Sequence, residues 1–144
     1  MLNQSSYVAA LGRLLIALIF LMSGIGKIAA PEMMQGYIAS AGLPLPLVGY
    51  LIAIAVEVGG GILLVVGFQT RLAAIVLAAF TIVTAVIFHH DFADQNQMIH
   101  FLKNVATTGG LLQVVAFGAG AFSIDSRRDS SRSPASAQSV LNRA

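Results

Sequence analysis

The chain contains no cysteine and has few charged residues. Among its 144 residues, Asp, Glu, Lys and Arg together make up only 10%. The absence of cysteine excludes disulfides, thiol chemistry and Cys-ligated zinc or iron–sulfur clusters. The scarcity of charge excludes a disordered chain and argues against a soluble monomer, because soluble domains carry roughly a quarter charged residues. Eight basic residues in so apolar a chain form no phosphate-binding face, so we expect no nucleic-acid partner.

Apolar residues dominate the chain and gather in four long runs. Hydrophobic residues make up 57% of the sequence, and the mean hydropathy is +0.84. The runs cover residues 7–28, 47–68, 72–88 and 101–122. Each fits the range of about 17–25 residues that a helix needs to cross a bilayer. Each must be helical, because the lipid offers backbone groups no water to bond. We therefore predict an all-α membrane protein, an antiparallel bundle of four transmembrane helices in the lipid bilayer.

The connections between the runs are short and carry turn signals. Pro31 predicts the start of a short interfacial helix between spans 1 and 2 that stops at Gly42. Its expected membrane-facing residues are Met33, Met34, Tyr37, Ile38 and Ala41. Gly67 should end the second span, and Thr70 should cap the third. Residues 1–125 thus form the membrane domain, and the Ser/Arg/Ala-rich residues 126–144 are predicted to be a disordered cytoplasmic tail.

Basic residues predict the orientation of the bundle. With four spans, both termini lie on one side, and the arginines concentrate there: Arg13, Arg71, Arg127, Arg128 and Arg132. Only Lys27 and Lys103 lie toward the other side, so both termini are predicted to be cytoplasmic. Arg13 is expected to snorkel to that face or to pair with the Arg71 region through a lipid phosphate. The competing interpretation is a signal peptide cleaved near Ala30, which would leave three spans and divide the basic residues between the two sides.

Glu57 is the most informative residue of the chain. It lies ten residues into the second span, roughly 15 Å from either membrane face at the rise of an α-helix. An ionised carboxylate there must face the bundle interior, be paired or be protonated. The functional interpretation is a proton, ligand or electron-coupling site. The structural interpretation is a hydrogen-bonding residue that joins neighbouring helices.

Lys27 is the candidate partner of Glu57. It ends the first span one turn after Ser23, on the same helix face. A lysine at this position can also snorkel to the headgroups. The rise per residue of an α-helix places Lys27 roughly 10 Å from Glu57 along the membrane normal. The pairing of the two side chains is therefore a hypothesis.

Helix four carries a polar stripe in its outward half. Lys103 shares a helix face with Thr107, and Asn104 shares one with Thr108. Thr84 adds a hydroxyl from span three. Because such a stripe fits poorly against lipid, we expect it to point inward. It then serves interhelical hydrogen bonds, or it lines an outward-opening polar cleft with Glu57 and Lys27.

The three histidines do not form a metal or haem site. His89, His90 and His100 fall on the outward side near Asp91 and Asp94. Imidazole and carboxylate suit several transition metals, but the spacing matches no ligand motif, and we expect polar interfacial residues and no metal. Haem needs histidines buried on facing helices, and none lies within a span.

The polar positions, read in order, resemble the DoxX family of small bacterial membrane proteins, and in particular its inner-membrane members. The resemblance runs from about residue 8 to residue 125. It rests on Arg13-Leu-Leu, Ser23-Gly-Ile-Gly-Lys27, Glu57-Val-Gly-Gly-Gly, Gly67-Phe-Gln-Thr-Arg71, Lys103-Asn104 and Gly118-Ala-Gly-Ala-Phe-Ser-Ile-Asp125. Ala119 replaces the usual proline of the last motif. The resemblance implies four helices in the bacterial cytoplasmic membrane, and relatives include a thiosulfate:quinone oxidoreductase subunit and a membrane partner of redox-stress proteins.

Three functional hypotheses follow from this sequence. The first is a redox-associated membrane subunit with no redox centre of its own, which touches a quinone near Glu57 and works with a redox partner protein. The second is a small-solute or proton transporter with Glu57 as carrier, which would act as a homo-oligomer because four spans are few for a transporter. The third is a non-catalytic scaffold or membrane anchor.

Overall fold

The structure, a computed structural model, describes residues 4–132 and contains only helices in that range. The helices are α1 (Gln4–Ala29), α2 (Pro31–Ser40), α3 (Pro46–Ile54), α4 (Gly60–Val66), α5 (Thr70–Phe88), α6 (Gln95–Phe117) and α7 (Ile124–Arg132). A π-helical turn, Ala55–Gly59, joins α3 to α4, so Pro46–Val66 forms one continuous helix. The all-helical prediction is confirmed for these residues.

Three helices among residues 4–132 are long and apolar enough to cross a membrane: α1, the continuous helix Pro46–Val66, and α5. They correspond to the first three predicted spans. The fourth, α6, is 23 residues long, but its polar side chains, including Lys103, Asn104 and Gln113, lower its hydropathy. It also ends at Phe117 rather than at residue 122, because Gly118 adopts a φ of +79° that breaks the helix.

The turns follow the sequence signals with one exception. Gly42 and Gly67 end α2 and α4 with φ values of +76° and +68°, as the sequence predicts. Thr70, however, is the first residue of α5 and not its cap. Gln69 occupies the capping position in a left-handed conformation, with no side-chain hydrogen bond to the helix. Asp125 supplies the missing cap from a distant part of the chain.

Small residues let the helices approach closely in the core. The core is formed by buried residues of α1, α4, α5 and α6, including Ala17, Leu64, Leu77 and Leu111. A Cβ added at Gly60 would lie 2.8 Å from Cγ of Leu77. Because van der Waals packing drives helix association in lipid, this fit holds α4 against α5.

The helix α7 differs from the predicted tail. Residues 126–132 were expected to be disordered, yet Ile124–Arg132 is helical. The Ser123 hydroxyl accepts a hydrogen bond from the Ser126 N–H at 3.1 Å, which is the geometry of an N-cap. Ser123, immediately before Ile124, therefore starts a helix that the polar composition alone does not predict. The rest of the predicted tail lies outside the described residues.

Candidate functional site

Glu57 lies in the π-helical turn of the second membrane helix. A π turn inserts an extra residue into the helical repeat, and such turns are frequent at functional sites. The opposing residue on α1 is Gly24, where an added Cβ would lie 2.5 Å from Cγ2 of Val58. Glycine at this position therefore lets α1 pack directly against the π turn. The contact places Ser23 and Lys27, which flank Gly24, beside the Glu57 carboxylate.

Lys27 and Glu57 form an ion pair inside the bundle. The Lys27 Nζ donates to Glu57 Oε1 at 2.9 Å and lies 2.9 Å from Oε2, and the Glu57 side chain is only 7% exposed. The Ser23 hydroxyl donates to Oε1 at 3.1 Å and accepts from Lys27 Nζ at 2.8 Å. Although Oε2 is close to the ammonium, it receives no hydrogen bond of good geometry within residues 4–132. The buried carboxylate is thus neutralised mainly by one lysine.

The direction of helical side chains explains how Lys27 reaches Glu57. Side chains on an α-helix tilt toward the helix N-terminus. Lys27 lies near the C-terminal end of α1, so its stem runs back along the helix past Ser23 and into the bundle. The gap expected from helical rise is closed in this way, and Lys27 does not snorkel to the headgroups. The Tyr50 hydroxyl also donates to the Lys27 carbonyl at 3.2 Å, which fixes the end of α1 against α3.

The ion pair borders a cavity of about 530 Å³, hereafter the Glu57 cavity. All four polar cleft candidates line it: Lys27, Glu57, Lys103 and Asn104. Its remaining walls are mostly apolar and include Phe20, Ile52, Phe80 and Ile87. This volume and this mixture of apolar walls with a few polar groups are typical of small-molecule sites.

The supporting polar residues divide into two groups. Ser23, Thr84 and Thr107 line the Glu57 cavity, whereas Thr108 is not among its lining residues. The Thr84 hydroxyl donates to the Thr81 carbonyl at 3.0 Å, so its proton is already used within α5. The buried Thr108 hydroxyl has no hydrogen-bond partner within residues 4–132.

Lys103 and Asn104 present free polar groups to the cavity. Within the part of the chain that the structure describes, neither side chain forms a hydrogen bond to another residue. An ammonium and a carboxamide therefore remain available to a molecule in the cavity, whose lining also includes the ion pair of Lys27 and Glu57. Together these groups offer several donors, one amide acceptor and one carboxylate.

Two aromatic stacks border the same cavity. The rings of His89 and His100 stack with centroids 5.0 Å apart, and His89 Nδ1 lies 3.2 Å from Gln97 Oε1. Tyr37 of α2 stacks on Phe88 at 5.1 Å. A helix over Pro31–Ser40 is present in the predicted segment. Three of its expected membrane-facing residues, Met34, Tyr37 and Ile38, instead line the cavity wall, because α2 packs against α3. Within residues 4–132 no group of three His, Cys, Asp or Glu side chains could hold a metal ion.

The arginines gather at the opposite end of the bundle from Lys27. Arg13 does not snorkel. Its side chain is buried, and it donates to the carbonyls of Ala119 and Phe122, the second at 2.7 Å. The reason is geometric: the chain turns after α6 and leaves these carbonyls outside any helix. The guanidinium satisfies them and ties α1 to the segment that follows α6.

Asp125 closes the same end of the bundle. Its carboxylate accepts hydrogen bonds from the N–H groups of Gln69 and Thr70, each at 2.9 Å, and from the Thr70 hydroxyl at 2.8 Å. Partial burial raises the pKa of Asp125, but the hydrogen bonds from Thr70 and Gln69 and the charge of Arg128 outweigh it and lower the pKa below its ordinary value. In the sequence, Asp125 is recognisable only as the last residue of a motif. Its position 55 residues after Thr70 hides the contact.

The remaining arginines lie near this cap. Arg71 donates to the Ala116 carbonyl at 3.5 Å, and the Arg128 guanidinium lies 5.2 Å from the ring centre of Phe68. Arg127 is exposed on α7. All of them cluster with Arg13 at one end of the bundle, as the sequence predicts for the side that carries the termini.

Comparisons with known proteins agree with this architecture. The DoxX family model matches residues 8–90, more than half of the chain. The chain is 40% identical over 116 residues to the inner membrane protein YqjF of Escherichia coli strain K12, covering 78% of this chain and 85% of the relative. It is 38% identical over 123 residues to the inner membrane protein YphA of the same strain, covering 81% and 87%. No solved structure matches the chain.

Proposed function

The chain belongs to the DoxX family, and on that premise we propose that it is a four-span subunit of the bacterial cytoplasmic membrane that binds a quinone in the Glu57 cavity. In this proposal α6 is the fourth span, α2 lies at the outer membrane surface, and both termini are cytoplasmic. The cluster of arginines at one end of the bundle supports that orientation, because cytoplasmic loops carry an excess of basic residues.

One observation carries the quinone proposal: unpaired polar groups converge in an otherwise apolar cavity inside the bundle. A quinone head has two carbonyl oxygens that accept hydrogen bonds, and its ring and tail are apolar. Lys103 and Asn104 have free donors, and Lys27 lines the same cavity. The apolar walls suit the ring. The pair of Lys27 and Glu57 sets the charge at that wall close to neutral, so the ammonium of Lys103 is the unpaired charge among the described lining residues, and it would donate to a quinone oxygen.

The described residues of the cavity hold no group that stores electrons by itself. A bound quinone would supply the redox chemistry, and a partner enzyme would deliver or remove the electrons. The chain's own contribution would be to hold the quinone head at a fixed depth and to present hydrogen-bond donors to its oxygens. This arrangement corresponds to a redox-associated membrane subunit, with a second protein as its partner.

Binding in lipid nanodiscs tests this proposal. The full chain is reconstituted, and ubiquinone and menaquinone analogues are titrated by calorimetry. We expect saturable binding by the native chain. We expect binding that is weaker by about tenfold in Asn104→Leu, which removes a free donor without disturbing the ion pair. Glu57→Gln should also change the affinity. Arg127→Gln, far from the cavity, is the matched control. No binding by any of these forms would refute the proposal.

A second candidate function rests on the position of Glu57 itself. An ionisable residue such as Glu57, in a π turn in the middle of a membrane helix, is a frequent component of proton and solute pathways. In this alternative an oligomer of the chain transports a proton or a small solute, with Glu57 as carrier. Proteoliposome flux that is lost in Glu57→Ala supports it, and absence of flux excludes it. A stoichiometric partner with neither ligand nor flux would instead indicate a scaffold.

A further inference from the structure

A second cavity lies at the arginine end of the bundle, away from the Glu57 cavity. Its volume is about 750 Å³, and it opens between the start of α5 and the segment that joins α6 to α7. Its lining is mostly polar. Arg71 and Arg128 contribute guanidinium groups, and Thr70, Ser126 and Ser130 contribute hydroxyls. We refer to it as the arginine cavity.

The donors of Arg71 are almost all unused. A guanidinium has five N–H donors, yet within residues 4–132 Arg71 forms one hydrogen bond, a long one of 3.5 Å to the Ala116 carbonyl. The guanidinium lies against Gly118, whose φ is +79° and whose added Cβ would lie 3.5 Å from Arg71 Nε. The guanidinium therefore rests beside this backbone turn at van der Waals distance, and its remaining donors are open to the cavity. Arg128 forms no salt bridge to a carboxylate in the described range.

Two carboxylates also border the arginine cavity, and they differ in availability. Asp125 is saturated by the N-terminal end of α5, which donates three hydrogen bonds to it. Asp129 is exposed and lies one helical turn further along α7. The positive groups that can engage a ligand are thus the two arginines, and the main opposing charge is Asp129.

The rim of the arginine cavity is apolar on the side of the spans. Leu72 is 58% exposed and Phe117 is 80% exposed, and both belong to the lining. These side chains begin the apolar surface of α5 and end that of α6. The cavity therefore lies where the apolar outer surface of the bundle meets its polar end.

We propose that the arginine cavity binds a phosphate group, carried by an anionic phospholipid of the adjoining leaflet or free in solution. Arg71 and Arg128 donate to the phosphate oxygens, since guanidinium and phosphate form strong, charge-assisted pairs. For a lipid, the acyl chains run along Leu72 and Phe117. Basic groups at the membrane surface attract anionic lipid in the same way. The site is independent of any ligand in the Glu57 cavity.

Titration of the full chain in neutral detergent micelles tests the proposal. The probes are short-chain phosphatidylglycerol, short-chain phosphatidylcholine and inorganic phosphate, with binding measured by calorimetry. We expect phosphatidylglycerol to bind at least fivefold tighter than phosphatidylcholine. Arg71→Gln and Arg128→Gln should each weaken it by about tenfold. Arg127→Gln, which removes the neighbouring arginine outside the cavity, should change it by less than twofold.

Asp129→Asn makes the test specific to charge. It removes the opposing carboxylate, and we expect binding to tighten by about threefold, an effect that a purely structural role would not produce. Inorganic phosphate that binds as tightly as phosphatidylglycerol assigns the site to free phosphate, and no phosphate binding assigns it to lipid. Equal binding of the two lipids, or equal losses in Arg127→Gln and Arg71→Gln, would overturn the proposal.

Discussion

The ion pair between Lys27 and Glu57 makes a strong prediction about stability. Lys27→Met keeps the length of the side chain but leaves the Glu57 carboxylate without its counter-ion. The carboxylate is more than nine-tenths buried in the π turn of the second span, so water can hydrate only a small part of it. Glu57→Gln is milder, since the lysine left behind sits near the end of α1 and can move toward the headgroups. The double variant removes both charges together.

The expected magnitudes follow from the asymmetry of buried charge pairs. Removing one partner of a buried pair costs about 3–5 kcal/mol, whereas replacing both is close to neutral. We expect Lys27→Met to lower the free energy of unfolding by about 3 kcal/mol, because it leaves a buried charge unpaired. Glu57→Gln should lower it by about 1–2 kcal/mol, because hydrogen bonds inside membrane bundles are individually modest. The double variant should lie within about 1 kcal/mol of the native chain. The coupling energy is then on the order of 3 kcal/mol.

Reversible unfolding in mixed SDS and detergent micelles measures these values. The chain contains no tryptophan, so far-UV circular dichroism is the suitable signal. Lys103→Met is the matched control: it removes a lysine from the same cavity that has no carboxylate partner in the described range, and it should cost under about 1 kcal/mol. If the losses of the two single variants add up in the double variant, the two charges are not paired, and the ion pair between Lys27 and Glu57 is refuted.

Three further predictions concern the turns and the arginine end. Arg13→Gln should lower the free energy of unfolding by about 2–3 kcal/mol, because two carbonyls lose a charged donor. The control Arg127→Gln should change it by no more than about 0.5 kcal/mol. Equal losses in the two variants would contradict the role of Arg13. In the same assay, Gly67→Ala should lower the free energy of unfolding by more than Gly42→Ala does. Both have positive φ, but an added Cβ at Gly67 would lie 2.5 Å from Ser123 Cβ, and Gly42 has open space. Asp125 has a lowered pKa when folded, so its stabilising effect is complete above its unfolded pKa of about 3.9 and is lost as the pH falls through the folded value. Asp125→Asn should therefore remove part of the acid dependence of stability below about pH 4, and an unchanged profile would contradict the cap.

The sequence predicts the helices well because the lipid makes their signals strong. Long apolar runs have few alternatives to helices, and glycines such as Gly42 and Gly67 end helices by conformational necessity. The polar stripe on α6 can also be identified from the sequence, because polar residues are rare in this chain. Spacing along single helices is enough to predict such features.

Contacts between distant segments could not be predicted in the same way. The π turn at Glu57 packs closely against Gly24, and helical periodicity encodes neither the turn nor this contact. Arg13 looked like a snorkelling residue because the exposed carbonyls of Ala119 and Phe122 exist only after the chain turns. Thr70 looked like a cap because Asp125, its actual partner, is remote in sequence. In each case, contacts between segments that are distant in sequence determine the role of the residue, and the local sequence does not.

Photolabelling tests most directly whether the Glu57 cavity is a quinone site. The full chain in nanodiscs is irradiated with an azidoquinone, and the labelled peptides are mapped by mass spectrometry. We expect labels on cavity residues of α1, α5 and α6, such as Phe20, Phe80 and Asn104. Excess unlabelled quinone should suppress this labelling. Labels confined to outward-facing residues such as Leu15, Ile75 and Leu112, unaffected by competitor, would contradict it.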